Sequence, residues 1–170
     1  MLRGPVLVAF DGTPASRRAL HESALVLAPR PAVVVVVWEA GRAFDLADIP
    51  SRAIEPGLAP IDLRTAVELD QALYEQARRL AEQGVALARK DGLDATGRVV
   101  ADDRTVPDTL VEVASELDAQ TLVLGAHGHG ALSELLLGST SRAVLRKAPC
   151  PVMIVRDKDH RGHGDRTRSG

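Results

Sequence analysis

The sequence predicts a single α/β domain: an open five-stranded parallel sheet, strand order 3-2-1-4-5, with helices on both faces. Three observations predict it. Apolar runs at Val6–Phe10, Ala32–Trp38, Ala95–Ala101, Thr121–Leu124 and Pro151–Val155 alternate with stretches of helical period. The clearest of these runs are apolar at consecutive positions, which is the pattern of strands buried on both faces. The helical segments between them are long enough for right-handed crossovers, so neighbouring strands should be parallel.

Each element has its own signal. Val6–Phe10 is closed by the turn pair Asp11-Gly12. Thr13 is placed to cap the next helix, and Pro14 fits its first position, where no backbone N–H is needed. Ala19, Leu20, Ala24 and Leu27 recur on one helical face until Pro29 and Pro31 stop it. Ala32–Trp38 is β-branched almost throughout, the clearest strand in the chain. Residues 39–62 hold three prolines, two glycines and no period, and read as a long loop over one end of the sheet. A long helix is expected over Leu63–Lys90, with Leu63, Val67, Leu73, Ala77, Leu80, Gly84 and Leu87 on its inner face, interrupted by Asp70. Gly84 there costs about 1 kcal/mol against alanine, which a close approach to the sheet would offset. Gly92 ends that helix. Ala95–Ala101 is a weaker strand, and Thr105 and Pro107 open a helix carrying Leu110, Val113, Ala114 and Leu117. The domain is expected to span 1–155, and the charged stretch 156–170 to be a disordered tail, because it has nothing apolar to bury.

Composition narrows the function. Hydrophobic residues make up 45% and aromatics 2%, so the core rests on Val, Leu and Ala, and the aromatic platforms of a single-strand nucleic-acid binder are lacking. A formal net charge of −2 gives no global attraction for nucleic acid or for an anionic membrane. No apolar run approaches the ~20 residues that span a bilayer. The lone Cys150 excludes an internal disulfide and reads as a buried structural thiol. The expectation is a soluble, cytoplasmic protein.

The chemistry concentrates between Thr121 and Val155. Gly125-x-x-Gly128, nine residues, then Gly138-Ser139-Thr140 is a two-part cradle: glycines let backbone approach an anion, and Ser139 and Thr140 open a helix whose N–H groups attract one. In the expected strand order the first and fourth strands are neighbours, so Asp11 and Gly125 flank the switch-point crevice where open α/β sheets bind ligands. Asp11 suits a ribose hydroxyl across that crevice, and Trp38 could wall a base. His127 and His129 face phosphate on this reading. Metal binding by the pair would need a strand to converge the rings, and no third ligand lies nearby in sequence. There is no G-x-x-x-x-G-K-[ST] and no G-x-G-x-x-G in the first turn, which argues against a P-loop NTPase and a dinucleotide enzyme.

From Val6 to Val155 the chain resembles the universal stress proteins. The resemblance rests on VLVAFDGTPAS, the Val-rich second strand, the G-2x-G-9x-G-[ST] element and the closing LRKAPCPVMIV. It implies a Rossmann-like, adenine nucleotide alpha hydrolase-like fold that binds ATP, with Mg2+ held by the phosphates and water. It assigns Ala9, Asp11 and Thr13 at the first strand and Trp38 at the second to the nucleoside side. Gly125, His127, Gly128, His129, Gly138, Ser139 and Thr140 fall to the phosphate side. At position 129 the family more often has Arg or Lys, and Ala126 replaces a frequent Ser or Thr. The resemblance also implies a homodimer paired through strand 151–155. Three functions stay open: a nucleotide-binding regulator with at most slow hydrolysis, a nucleotide-independent dimeric adaptor, and a true ATPase or adenylyl-transfer enzyme.

Overall fold

A run of β-branched and leucine side chains satisfies its backbone most readily between two other strands, and the central strands here are built that way. The computed structural model describes residues 4–41, 62–102, 104–126 and 137–156. In chain order these form β1 (Val6–Ala9), α1 (Pro14–Leu27), β2 (Pro31–Trp38), α2 (Leu63–Lys90), β3 (Asp94–Ala101), α3 (Val106–Glu116), β4 (Thr121–Gly125), α4 (Ser139–Lys147) and β5 (Val152–Val155). The sheet has five strands in the order β3-β2-β1-β4-β5, as the sequence predicts. Every pairing is parallel, and β2 pairs with β3 from Pro31↔Asp94 to Trp38↔Ala101.

Alternation along the strands splits each apolar run between two cores. Val6, Val8, Phe10, Val34 and Val36 pack with Ala19, Leu20 and Ala24 of α1 and Ala77, Ala81 and Ala88 of α2. On the opposite face Leu7, Val35, Leu122 and Leu124 pack with Leu110 and Val113 of α3 and Val144 of α4. The starts of α1 and α3 follow the sequence, and Asp62 adds a cap at α2 that it did not signal. Thr13, Asp62 and Thr105 each accept, through the side chain, the backbone N–H three residues on, which satisfies one of the donors a helix start leaves open.

The inner face of α2 matches the expected one at Ala77 and Gly84 and differs elsewhere. Its buried residues are Ala66, Ala77, Ala81, Gly84 and Ala88. Leu63 and Val67 are exposed, and Leu80 and Leu87 only flank the core. Small residues let the helix lie close to the sheet: a Cβ at Gly84 would stand 2.7 Å from Val34 Cγ1 and 2.9 Å from Phe10 Cδ1. Asp70 does not interrupt that face idly, because its Oδ1 accepts the Gly41 N–H at 2.8 Å and fastens the exit of β2 to the helix. The expected 39–62 loop falls outside the described residues from 42 to 61, as does the expected tail from 157 onward.

A candidate anion-binding crevice at the switch point of the sheet

β1 is hydrogen-bonded to β2 on one side and to β4 on the other, so the crossovers leave in opposite directions and a crevice opens at the carboxyl ends. Asp11 follows the last residue of β1 by two positions and Gly125 closes β4, on the two sides of that crevice.

The β1 side is a preformed turn. Asp11 Oδ1 accepts from the Thr13 N–H at 3.0 Å and from the Thr13 hydroxyl at 2.6 Å. That same hydroxyl oxygen accepts the Ser16 N–H at 3.2 Å, so one side chain both caps α1 and orients the carboxylate. Ser16 is buried, and its hydroxyl donates to the Thr13 carbonyl at 3.1 Å. Arg17 stands over the Phe10 ring and donates from Nε to the Gly12 carbonyl at 3.1 Å. Asp11 is exposed at the mouth, whereas Ala9 is half-buried against the α3 and α4 core. Ser16 and Arg17 are neighbours that sequence reading missed; the hydroxyl at the third helical position was the available signal for Ser16.

Trp38 ends β2 half-buried, with its ring 5.5 Å from that of Tyr74 at an interplanar angle of 59°. It is therefore also a packing anchor for α2, and it backs on to the α1 and α2 core. Tyr74 was not legible as its partner, because the two rings stand on different elements, 36 residues apart in the chain.

The β4 side holds both limbs of the glycine motif together. The Gly138 N–H donates to the Ala126 carbonyl at 2.9 Å, and the Ser141 hydroxyl donates to the Gly125 carbonyl at 3.1 Å. The Ala126 N–H in turn donates to the Val155 carbonyl at 2.7 Å, tying the limb to β5. Gly138 is the N-cap of α4 and, having no side chain, gives the third N–H of that helix, at Ser141, none of the capping bonds that Thr13, Asp62 and Thr105 give the corresponding N–H of α1, α2 and α3. Arg146 and Lys147 occupy the last turn, which suits the negative end of the same helix. Gly125 has a second reason to be glycine: an added Cβ would lie 2.8 Å from the backbone carbon of Ala15 at the start of α1. His127, Gly128 and His129 lie outside the described residues.

Chemically, the crevice offers backbone N–H donors on one side and an oriented carboxylate on the other, the complement of a phosphate and a hydroxyl. Among the described residues no three His, Cys, Asp or Glu gather as a metal site, and no helix is long and apolar enough to cross a membrane. Cys150 is half-buried rather than fully buried, and burial pushes its thiol above the usual range, away from the reactive thiolate.

The family model of the universal stress protein family matches residues 3–156. A universal stress protein of Thermus aquaticus is 30% identical over 151 residues, covering 89% of this chain and 97% of the relative. The universal stress protein Rv1996 of Mycobacterium tuberculosis is 33% identical over 152 residues, and there the match takes in 89% of this chain but only 44% of the relative. The chain thus spans about half the length of the mycobacterial relatives it matches. Solved structures share the fold. The Archaeoglobus fulgidus universal stress protein in complex with dAMP has a TM-score of 0.59 at 22% identity over 92% of this chain and 100% of its own. A universal stress protein in complex with cAMP scores 0.58 at 22% identity over 93% and 100%. An Arabidopsis thaliana family member with AMP bound scores 0.58 at 16% identity over 94% and 95%. With the family model matched over nearly its whole length, the chain belongs to the universal stress protein family.

Proposed function

We propose that this chain is an adenine-nucleotide-binding regulatory protein, whose occupancy by ATP sets its conformation or its choice of partner in stress physiology. The observation that carries the reading is the pairing of an uncapped α4 N-terminus with an oriented Asp11 across the switch-point crevice. The dAMP, cAMP and AMP complexes among its structural neighbours support an adenine nucleotide as the ligand. In this reading the first-turn amides and hydroxyls of Ser139 and Thr140, with Gly125, Gly128, Gly138, His127 and His129, take the phosphates. Asp11, with Ala9 and Thr13 beside it, takes the ribose, and Trp38 walls the base. Mg2+ is held by the phosphates and water. The protein acts by binding, with hydrolysis slow at most, and as a cytoplasmic homodimer paired through β5.

The test is a melting series. At 100-fold excess over its dissociation constant a ligand stabilises the fold by about 2.7 kcal/mol, worth roughly 5–10 °C for a chain of this size. A shift of that order with ATP or AMP, lost in Gly138→Val, is the expected result. A flat response across millimolar Mg-ATP, with no nucleotide found by mass spectrometry after gentle purification, overturns the proposal. One observation favours the alternative, a nucleotide-independent adaptor: Gly125 is required by its contact with Ala15 whether or not a phosphate is present. Unchanged partner binding by Gly138→Val would support that alternative.

A further inference from the structure

Among the described residues two hydrogen bonds join the limbs of the glycine motif, and only one of them is made by backbone alone. The other is made by Ser141, which is 3% exposed and lies outside the motif. A serine in the first turn of a helix ordinarily turns its hydroxyl to its own turn or to water. Here the hydroxyl reaches across to the Gly125 carbonyl, sixteen residues back in the chain. Gly125 is already flush against the backbone of Ala15, and Ala126 is bonded to both Gly138 and Val155. The β4 exit is thus held by α1, α4 and β5 together, and among the described residues Ser141 is the one side chain in that set of bonds.

We propose that Ser141 is a positioning residue for phosphate recognition: it fixes the start of α4 against the end of β4, and so sets where the first-turn amides of Ser139 and Thr140 stand at the crevice. The inference rests on the nucleotide reading above. A site that holds phosphate through backbone N–H groups depends on how accurately those groups are set relative to one another. Among the described residues the Ser141 hydroxyl goes to the Gly125 carbonyl, so the effect expected of it falls on the phosphate end. Removing the hydroxyl leaves the Gly125 carbonyl without that donor and lets the α4 turn drift from it.

The experiment is calorimetric titration of the full chain with AMP and, separately, with adenosine, for the wild type, Ser141→Ala and Ser141→Thr. The alanine variant should lose about three- to tenfold in AMP affinity, the equivalent of one buried hydrogen bond. Its adenosine affinity should stay within error of the wild type, and the threonine variant should recover most of the AMP affinity. An alanine variant that loses AMP and adenosine equally shows a merely structural role and overturns the inference. So does one that binds AMP normally while the wild type also binds. If the wild type binds neither ligand, the nucleotide reading itself fails and this inference goes with it. Circular dichroism of each variant separates a lost site from a lost fold.

Discussion

At Gly84 two magnitudes compete. Alanine favours a helix interior over glycine by about 1 kcal/mol, so Gly84→Ala should stabilise an isolated helix. In the fold, however, the new methyl would meet Val34 Cγ1 at 2.7 Å and Phe10 Cδ1 at 2.9 Å. Both neighbours are themselves buried, at 0% and 2% exposure, and neither has room to withdraw. Overpacking of this kind costs about 1–3 kcal/mol, which matches or exceeds the propensity gain. Gly84→Ala is therefore expected to lower the urea midpoint, and a raised midpoint would show that α2 lifts from the sheet at little cost. The same contrast applies at Gly125, whose neighbour is the backbone of Ala15 rather than a side chain. Part of the glycine pattern that reads as phosphate binding is thus helix packing. Asp11 differs again: its acidic chemistry was visible in the sequence, but its orientation by Thr13 is a product of the turn.

Among the elements, the helix starts show how charge enters stability. Asp62 caps α2 through the Thr65 N–H at 2.7 Å, and that bond holds its carboxyl below the ordinary value of 3.8. Asp108, in the first turn of α3, receives the Lys147 ammonium of α4 at 2.6 Å, and this contact with the Thr105 hydroxyl lowers it likewise. A carboxyl lowered in the folded state contributes stability that is complete above its unfolded value. That stability is lost as pH falls through the folded one. The window therefore lies below 3.8. In acid titrations of melting temperature, Asp62→Asn and Asp108→Asn should melt lower than the wild type at neutral pH and converge on it as pH falls below about 4. Parallel curves would mean that the charges contribute nothing. Both groups are exposed, so the differences should also shrink with added salt.

Across the whole molecule, the strand order puts β3 and β5 at the two edges of the sheet. An unprotected edge is a template for further pairing, and β5 is short and carries the half-buried Val152, Met153 and Ile154. Pairing of two chains through β5 predicts a two-chain particle in sedimentation at micromolar concentration; a monomer under those conditions overturns it. The bond from Ala126 to Val155 makes the glycine limb contiguous with that edge, so ligand and dimer would share one hydrogen-bonded unit. The nucleotide-dependent melting shift belongs to this scale too, because binding to the native state alone raises the stability of the entire fold.

The kind and order of the described elements, the helix starts at Thr13 and Thr105 and the sheet order were legible in the sequence, whereas the Asp62 cap was not. Hydrophobic period, capping residues and crossover length are local signals, and the handedness of crossovers leaves few topologies. The turn at Asp11-Gly12 was legible for the same reason, since it is a short run of residues with unusual backbone demands; of the glycine motif, Gly128 lies outside the described residues. The buried face of α2 was legible only at Ala77 and Gly84. Helical period marks a stripe of leucines, but the distance between helix and sheet decides whether leucine or alanine fits inside, and that distance is set by Gly84 meeting Phe10 and Val34. Nor were the contacts of Trp38 with Tyr74, Asp70 with Gly41 and Ser141 with Gly125 legible. Each joins residues far apart in the chain, and such pairs exist only once the layers have closed on one another.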